Sequence, residues 1–212
     1  MAGIVVTVAQ QKGGAGKSTL AAHLAVAWAG QRRKVAVIDI DPQASLAAWY
    51  AERKGALNGK AGLDFTQITG WRTAAEVERQ AKSHDVVVID SPPHAETEAR
   101  LAVRAASLLL VPVQPSPMDV WATRPTLNLA KAEKVPVLLI LNRVPSRANL
   151  TETMSGRLAE LGVGVAQTRV GNRVALATAM AEGRGITETE PSSRAGQEIA
   201  ALAEEIISRA KR

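Results

Sequence analysis

The segment Gln10-Gln11-Lys12-Gly13-Gly14-Ala15-Gly16-Lys17-Ser18-Thr19 constrains this chain more than any other. It follows an apolar, β-branched run, Ile4–Val8, and opens an Ala- and Leu-rich stretch, Lys17–Ala29, that Gly30 closes. The glycines therefore fall between a strand and a helix. In that position they let the backbone curl until successive N–H groups face one anion, and the start of the helix adds its dipole. The Gly-Lys-Ser ending makes this a nucleotide loop. Lys17 sits on the β and γ phosphates, and the Ser18 hydroxyl ligates Mg²⁺. The usual pattern has glycine five residues ahead of Gly16, where this chain has Gln11, and here an additional lysine, Lys12, precedes the glycine pair.

The rest of the chain alternates short apolar runs with Ala-rich helical stretches, as βαβ units with a parallel sheet do. Strands are expected at Val35–Ile40, Asp64–Ile68, Asp85–Asp90, Ser107–Val113, Val135–Asn142 and Val163–Arg169, the last at an edge. Helices are expected at Leu46–Lys54, Thr73–Ser83, Glu96–Ala106, Met118–Lys131, Thr151–Leu161, Arg173–Glu182 and Gly196–Ala210, with Arg124-Pro125 breaking the Met118–Lys131 helix near its start. Runs such as Val86–Ile89 and Leu108–Val113 are apolar throughout, so both faces of the sheet are covered. The expected fold is a three-layer α/β P-loop nucleoside-triphosphatase, with residues 1–212 as one domain.

Composition excludes other chemistry. Without cysteine, disulfide scaffolds, thiolate zinc sites, iron–sulfur clusters and thiol nucleophiles are ruled out. No apolar run reaches the roughly 20 residues that cross a bilayer, and the start of the chain lacks the pattern of a secretory signal, so a cytoplasmic location is expected. His23, His84 and His94 have no metal-ligand spacing, and Trp28, Trp49, Trp71 and Trp121 are expected to be packing residues. The formal charge of +6 suits a polyanionic partner, and 3% aromatic residues argue for phosphate contacts rather than base stacking.

Lys12-Gly13-Gly14-Ala15-Gly16-Lys17-Ser18 resembles the deviant Walker A loop of the ParA/MinD family, and the resemblance runs over nearly the whole chain, closest to the short ParA partition proteins. It implies that Lys12 reaches across a dimer interface to the partner's nucleotide, so that two ATP molecules are sandwiched between two subunits. Lys12 to Thr19 then form the nucleotide site. Asp39-Ile40-Asp41-Pro42-Gln43 is similar to the family's Asp-x-Asp-Pro-Gln segment. The resemblance gives Asp41 the attacking water and puts Asp39 nearer the metal; a turn-forming Asp-Pro with a capping carboxylate is the plainer reading. Asp90 ends an apolar strand as a Walker B acid that holds Mg²⁺ through water, and Ser91-Pro92-Pro93 resembles a γ-phosphate-sensing switch. The segment Val111–Asp119 is similar to its counterpart in short ParA proteins; Asp119 either lies at the dimer interface or caps the following helix. Asn142 resembles the residue that recognises adenine, or is a turn former.

Family members bind DNA nonspecifically through basic residues of the C-terminal half, which points to Arg143, Arg169 and Arg173 within a segment that also holds Arg147, Arg157 and Arg184. The resulting expectation is an ATP- and Mg²⁺-dependent partition ATPase associated with the nucleoid. It works as a homodimer on double-stranded DNA, with a ParB- or ParG-like partner or a cargo adaptor stimulating hydrolysis. No membrane partner is expected, because the last helix carries Glu198, Glu204 and Glu205 and no aromatic anchor. A MinD-like membrane-surface ATPase, a metabolic P-loop synthetase and a passive DNA-binding module are the competing readings.

Overall fold

The computed structural model describes residues 3–93, 96–146 and 149–211. His94 and Arg147 lie outside the described residues. Seven parallel strands, β1 (Ile4–Val8), β2 (Val35–Asp39), β3 (Asp64–Gln67), β4 (Val86–Asp90), β5 (Leu108–Val113), β6 (Val137–Leu141) and β7 (Gly164–Val165), form one sheet in the order β3-β2-β4-β1-β5-β6-β7. Every residue of β2, β4 and β5 is buried, as continuous apolar runs require when helices cover both faces.

The alternation of side chains along the strands sorts the core into two halves. One face packs under α1 (Lys17–Gly30), α2 (Ser45–Ala56), α8 (Val174–Ala181), α9 (Ile186–Thr189) and α10 (Arg194–Ala210), through Val6, Val8, Val37, Val88, Leu110 and Ile140. The other lies under α3 (Thr73–Ser83), α4 (Glu96–Arg104), α5 (Pro117–Trp121), α6 (Arg124–Glu133) and α7 (Asn149–Ala159), through Val5, Ile38, Ile89, Leu109, Val111 and Leu139. Helix α1 is buried on every side, with α10, α9, α8 and α2 around it. The apolar stripe of α10, including Ile199, Leu202, Ala203 and Ile206, is spent on this packing, and Trp28 Nε1–H donates to Ala203 O at 3.0 Å. No helix among the described residues is long and apolar enough to cross a membrane.

Several expectations need correction. The helix expected at Met118–Lys131 is two: Ser116 caps α5, and Pro125 enters α6 at its first turn, where a missing N–H costs nothing. The strand expected at Val163–Arg169 shrinks to Gly164–Val165, because Glu205 accepts the Gln167 and Thr168 N–H groups and Arg209 donates to Val165 O. Helix α9, with Glu188 accepting the Gly185 N–H, was not anticipated. Trp28 and Trp49 are core residues, but Trp71 is 83% and Trp121 57% exposed. The first sits on a single 3-10 turn beyond an edge strand, with no buried residue in that turn, and the second ends a five-residue helix that buries only Asp119 and Val120.

Candidate nucleotide site

The loop from Gln10 to Gly16 leaves the carboxyl end of β1, between β4 and β5, where parallel sheets bind ligands. Gly14 and Gly16 take φ of 76° and 89°, the left-handed region that glycine enters without steric cost. At Gly16 a Cβ would also stand 2.6 Å from Asn142 Nδ2. Asn142 Nδ2–H donates to Ala15 O at 2.8 Å, so the side chain expected to meet adenine also splints the phosphate loop. Beside it opens a cavity of about 320 Å³ lined by Gly16, Thr19, His23, Asn142, Arg143 and Asn172, among others, continuous with the loop and of the size a small ligand uses. His23 forms part of its wall in a fixed neutral form: it is paired with Leu176 O at 3.1 Å and accepts the Ile186 N–H at 3.0 Å. Burial lowers its pKa to about 4.

Lys17, Asp41 and Asp90 form the electrostatic centre. Burial pulls the Lys17 ammonium below its ordinary value, against the opposing pull of Asp90 and Asp41. Burial raises the Asp90 carboxyl to about 7; Ser18 and Lys17 act against that rise, while Asp39 and Asp41 add to it. Both Asp90 oxygens are buried without a hydrogen-bond partner of normal geometry. Orphaned carboxylate oxygens in a core are costly unless something satisfies them. Here the donor set is the Asp90 carboxylate and the Ser18 hydroxyl, hard oxygens beside a phosphate loop, which fits hydrated Mg²⁺. No group of three or more acidic, His or Cys side chains suited to a metal occurs among the described residues, as befits an ion held mainly by water and substrate phosphates.

Asp39 lies within electrostatic reach of Asp90 and also serves the backbone. Its Oδ1 accepts the Asp41 N–H at 2.9 Å and its Oδ2 the Ala47 N–H at 3.0 Å, so this buried carboxylate ties the end of β2 to the first turn of α2. Asp41 Oδ1 in turn accepts the Gln43 N–H at 2.9 Å. Asp39 thereby shapes the loop that presents Asp41. Both carboxylates thus cap local backbone, and both act electrostatically on Asp90, with Asp41 also acting on Lys17. Ser91 is pinned to β1, its hydroxyl donating to Val8 O at 3.0 Å.

Lys12 points away from this centre. Its Nζ donates to Asp119 Oδ2 at 2.7 Å, and the same oxygen takes the Ser116 hydroxyl. Asp119 is therefore not the N-cap, a role Ser116 fills by accepting the Asp119 N–H; it holds Lys12. Around this pair runs a clasp that sequence reasoning missed. Gln114 Nε2 donates to Gly14 O at 3.1 Å, Thr126 Oγ1 accepts the Gln11 N–H at 3.4 Å, and Gln10 Nε2 donates to Thr123 Oγ1 at 3.2 Å. The one signal for it is the polar Gln10 at the end of an apolar strand, where it is 2% exposed. Of the three arginines singled out for DNA, Arg143 is exposed, with a left-handed φ of 53° and no ion-pair partner among the described residues. Arg169 is engaged by Glu152 and Arg173 by Glu198.

A strand, phosphate loop and helix with a buried lysine, an orphaned strand-end acid and a Ser hydroxyl define a Mg²⁺-dependent P-loop nucleoside-triphosphatase. The CbiA family, the CobQ/CobB/MinD/ParA nucleotide binding domain, matches residues 6–186, and this chain belongs to it. In sequence it is similar to the maintenance of carboxysome distribution protein A of Halothiobacillus neapolitanus, at 28% identity covering 95% of both chains. It is also similar to the chromosome-partitioning ATPase Soj of Thermus thermophilus, at 27% identity covering 96% of this chain and 95% of the other. Its fold is that of the Pyrococcus furiosus cell division ATPase MinD, with a TM-score of 0.81 at 18% identity over 98% and 99% of the two chains. As a member of this nucleotide-binding family the chain is an ATPase; the septum site-determining protein MinD of Pyrococcus horikoshii, of the same fold at 18% identity, was solved with Mg-ADP.

Proposed function

We propose that this chain is a partition ATPase whose ATP-bound form is a homodimer that holds duplex DNA through phosphate contacts. A partner protein then accelerates hydrolysis and resets it. The observation that carries the reading is the division of labour between two lysines on one loop. Lys17 is buried against Asp90 and Asp41, whereas Lys12, 36% exposed at its side chain, is turned outward onto α5. A hydrolase acting alone has no use for the second lysine. A second copy facing the loop does, because another phosphate group would then lie within its reach.

In this reading Lys17 and the loop N–H groups bind the β and γ phosphates, Ser18 and Asp90 hold Mg²⁺, and the bound ion neutralises charge between those phosphates. Asp41, fixed by Asp39, orients the attacking water toward the γ-phosphate and accepts its proton. Arg143, Arg169 and Arg173 supply DNA contacts, the last two after exchanging a glutamate for a phosphate oxygen. The buried stripe of α10 is what favours DNA over a membrane-inserting role for that helix. The test is the mass in solution and the DNA binding of wild type and Asp41→Ala with ATP. A DNA-bound dimer that accumulates in the variant is expected, and an unchanged monomer without DNA would overturn the proposal.

A further inference from the structure

The ion pairs leave an uneven surface. Because all seven strands are parallel, the loops ahead of their amino ends share the edge opposite the phosphate loop. That edge carries Arg32, Arg33 and Lys34 before β2, Lys60 before β3, and Lys131 and Lys134 before β6. None of these six has an ion-pair partner among the described residues, and all but the half-buried Arg33 are exposed. Lys34 and Lys60 line one open concavity of about 850 Å³. Among the acids of this edge, Asp64 faces His84 and Glu133 serves Arg100 and Arg104, while Asp85, which accepts the Lys34 backbone N–H, and the exposed Glu160 ahead of β7 keep their charge, so the six cations still outnumber the acids without an ionic partner. From β2 to β6 is four strand spacings, about 19 Å, enough to bridge the roughly 12 Å major groove of duplex DNA and meet phosphates on both of its sides.

Backbone conformation adds an independent observation. The left-handed positions after α7 and α8 are glycines, Gly162 and Gly183, and after α2 they are Asn58 and Gly59, but those after α1 and α6 are the cations Arg32, φ 61°, and Lys134, φ 58°. A side chain there costs about 1 kcal/mol that glycine avoids. Cations near helix C-termini are favoured by the helix dipole, which contributes at Lys131, Lys134 and Arg32 but does not account for Lys34 or Lys60. The large exposed apolar side chains, Trp71, Met118, Trp121, Leu150 and Val174, all lie on segments leaving the carboxyl ends of strands. Among the described residues, the cationic edge therefore has none of the anchors that seating in a lipid surface uses.

We infer that the edge remote from the nucleotide is a second phosphate-binding surface, which takes the backbone of duplex DNA in every nucleotide state. The inference rests on the DNA-binding reading above and adds a place for it that stays open whether or not the loop edge is covered by another copy. A monomer then binds DNA weakly through one such edge, and an ATP dimer binds more tightly because it carries two.

The test is Arg32→Gly combined with Lys134→Gly, which relaxes both backbone positions and leaves the ATPase site untouched, so the fold and the basal hydrolysis rate serve as controls. Binding to a short random-sequence duplex is read by fluorescence anisotropy, without nucleotide and with ATP, from about 50 to 200 mM salt. The expected result is a salt slope of log K lower by about 1.8 without nucleotide, at about 0.9 per contact, and by about 3.6 for the ATP dimer, whose two edges lose four contacts, with melting temperature unchanged or raised. Unchanged DNA binding in the variant overturns the inference while leaving the partition reading intact, most directly if Arg143→Glu with Arg169→Glu abolishes binding instead. Loss of binding to anionic phospholipid vesicles with DNA binding retained also overturns it. Absence of DNA binding by wild type in any nucleotide state overturns both.

Discussion

Replacing Asp119 with asparagine asks what Lys12 does before a second copy arrives. The Lys12–Asp119 contact is 2.7 Å long, with side-chain exposures of 36% and 6%. That places it between a surface bridge, worth about 0–1 kcal/mol, and a buried one whose disruption costs about 3–5 kcal/mol; about 1 kcal/mol suits a lysine this open to water. If Lys12 must leave Asp119 to reach a phosphate on the other subunit, each subunit forfeits that amount on pairing. For two subunits the sum is about 2 kcal/mol, a roughly thirty-fold weaker association than free lysines would give. Asparagine keeps the shape and an acceptor for the Ser116 hydroxyl, but not the charge. Asp119→Asn is therefore expected to tighten ATP-dependent dimerisation by about thirty-fold at low salt, with the gain shrinking as salt screens the wild-type pair. Sedimentation equilibrium over a range of protein concentration, with Asp41→Ala in both proteins to suppress turnover, measures it. A weaker dimer would refute the reasoning and assign Asp119 to contacts across the interface; an unchanged one would show that Lys12 never leaves.

Three further outcomes are expected. Gly16→Ala forces a side chain into a φ of 89° and to 2.6 Å from Asn142 Nδ2; ATP affinity should fall at least tenfold by calorimetry with the circular dichroism spectrum kept, and near-normal affinity would contradict the loop geometry. His23, lowered from 6.5 to about 4 by burial, is protonated in the unfolded chain before it is protonated in the folded one, so its contribution is complete above about pH 6.5 and is lost as pH falls toward 4. Burial raises Asp90 to about 7, which adds stability as pH falls over the same range, so His23 is read by comparison: from pH 7 to pH 5 wild type should lose about 2 kcal/mol relative to His23→Gln in urea unfolding, and identical pH profiles would refute it. Arg53, 2% exposed, donates to Ala61 O, Gly183 O and both Glu188 oxygens; Arg53→Ala strands those acceptors at a cost of about 3–5 kcal/mol and should lower Tm by about 10 °C, whereas a drop under about 3 °C would mean the bolt is idle.

What was readable in advance was what is local. The glycine loop lies within ten consecutive residues, and apolar runs such as Val86–Ile89 announce burial on both faces wherever they occur. Asp90 was recognisable because it ends such a run. The clasp on the loop was not: Gln10 meets Thr123 and Thr126 across more than a hundred residues, and nothing in the spacing of polar side chains records which will meet. The same holds for Arg169 and Arg173, whose glutamates stand 17 and 25 residues away on helices whose rotation the sequence pattern does not resolve. The strand ends at Asp39, so Asp41 lies in the turn beyond it, and only the fold reveals that one carboxylate serves the other's backbone. Trp71 and Trp121 were misjudged because the short elements that carry them bury little or nothing.

Helix α1, enclosed on all sides, makes the phosphate loop an anvil rather than a hinge. Its amides can exchange with solvent only when much of the domain opens, so a nucleotide arriving at Lys17 meets the slowest-moving part of the molecule. Whatever ATP changes must then be borne by the lighter pieces around it: the Asp41–Ala44 turn, Ser91–Pro93 and the five-residue α5 with its grip on Lys12. In hydrogen exchange, the response to nucleotide should appear as protection gained in the Asp41–Ala44 turn and in α5 against an α1 that is protected from the outset; Ser91–Pro93, with two prolines and a Ser91 N–H already bonded to Val8 O, is silent to this probe.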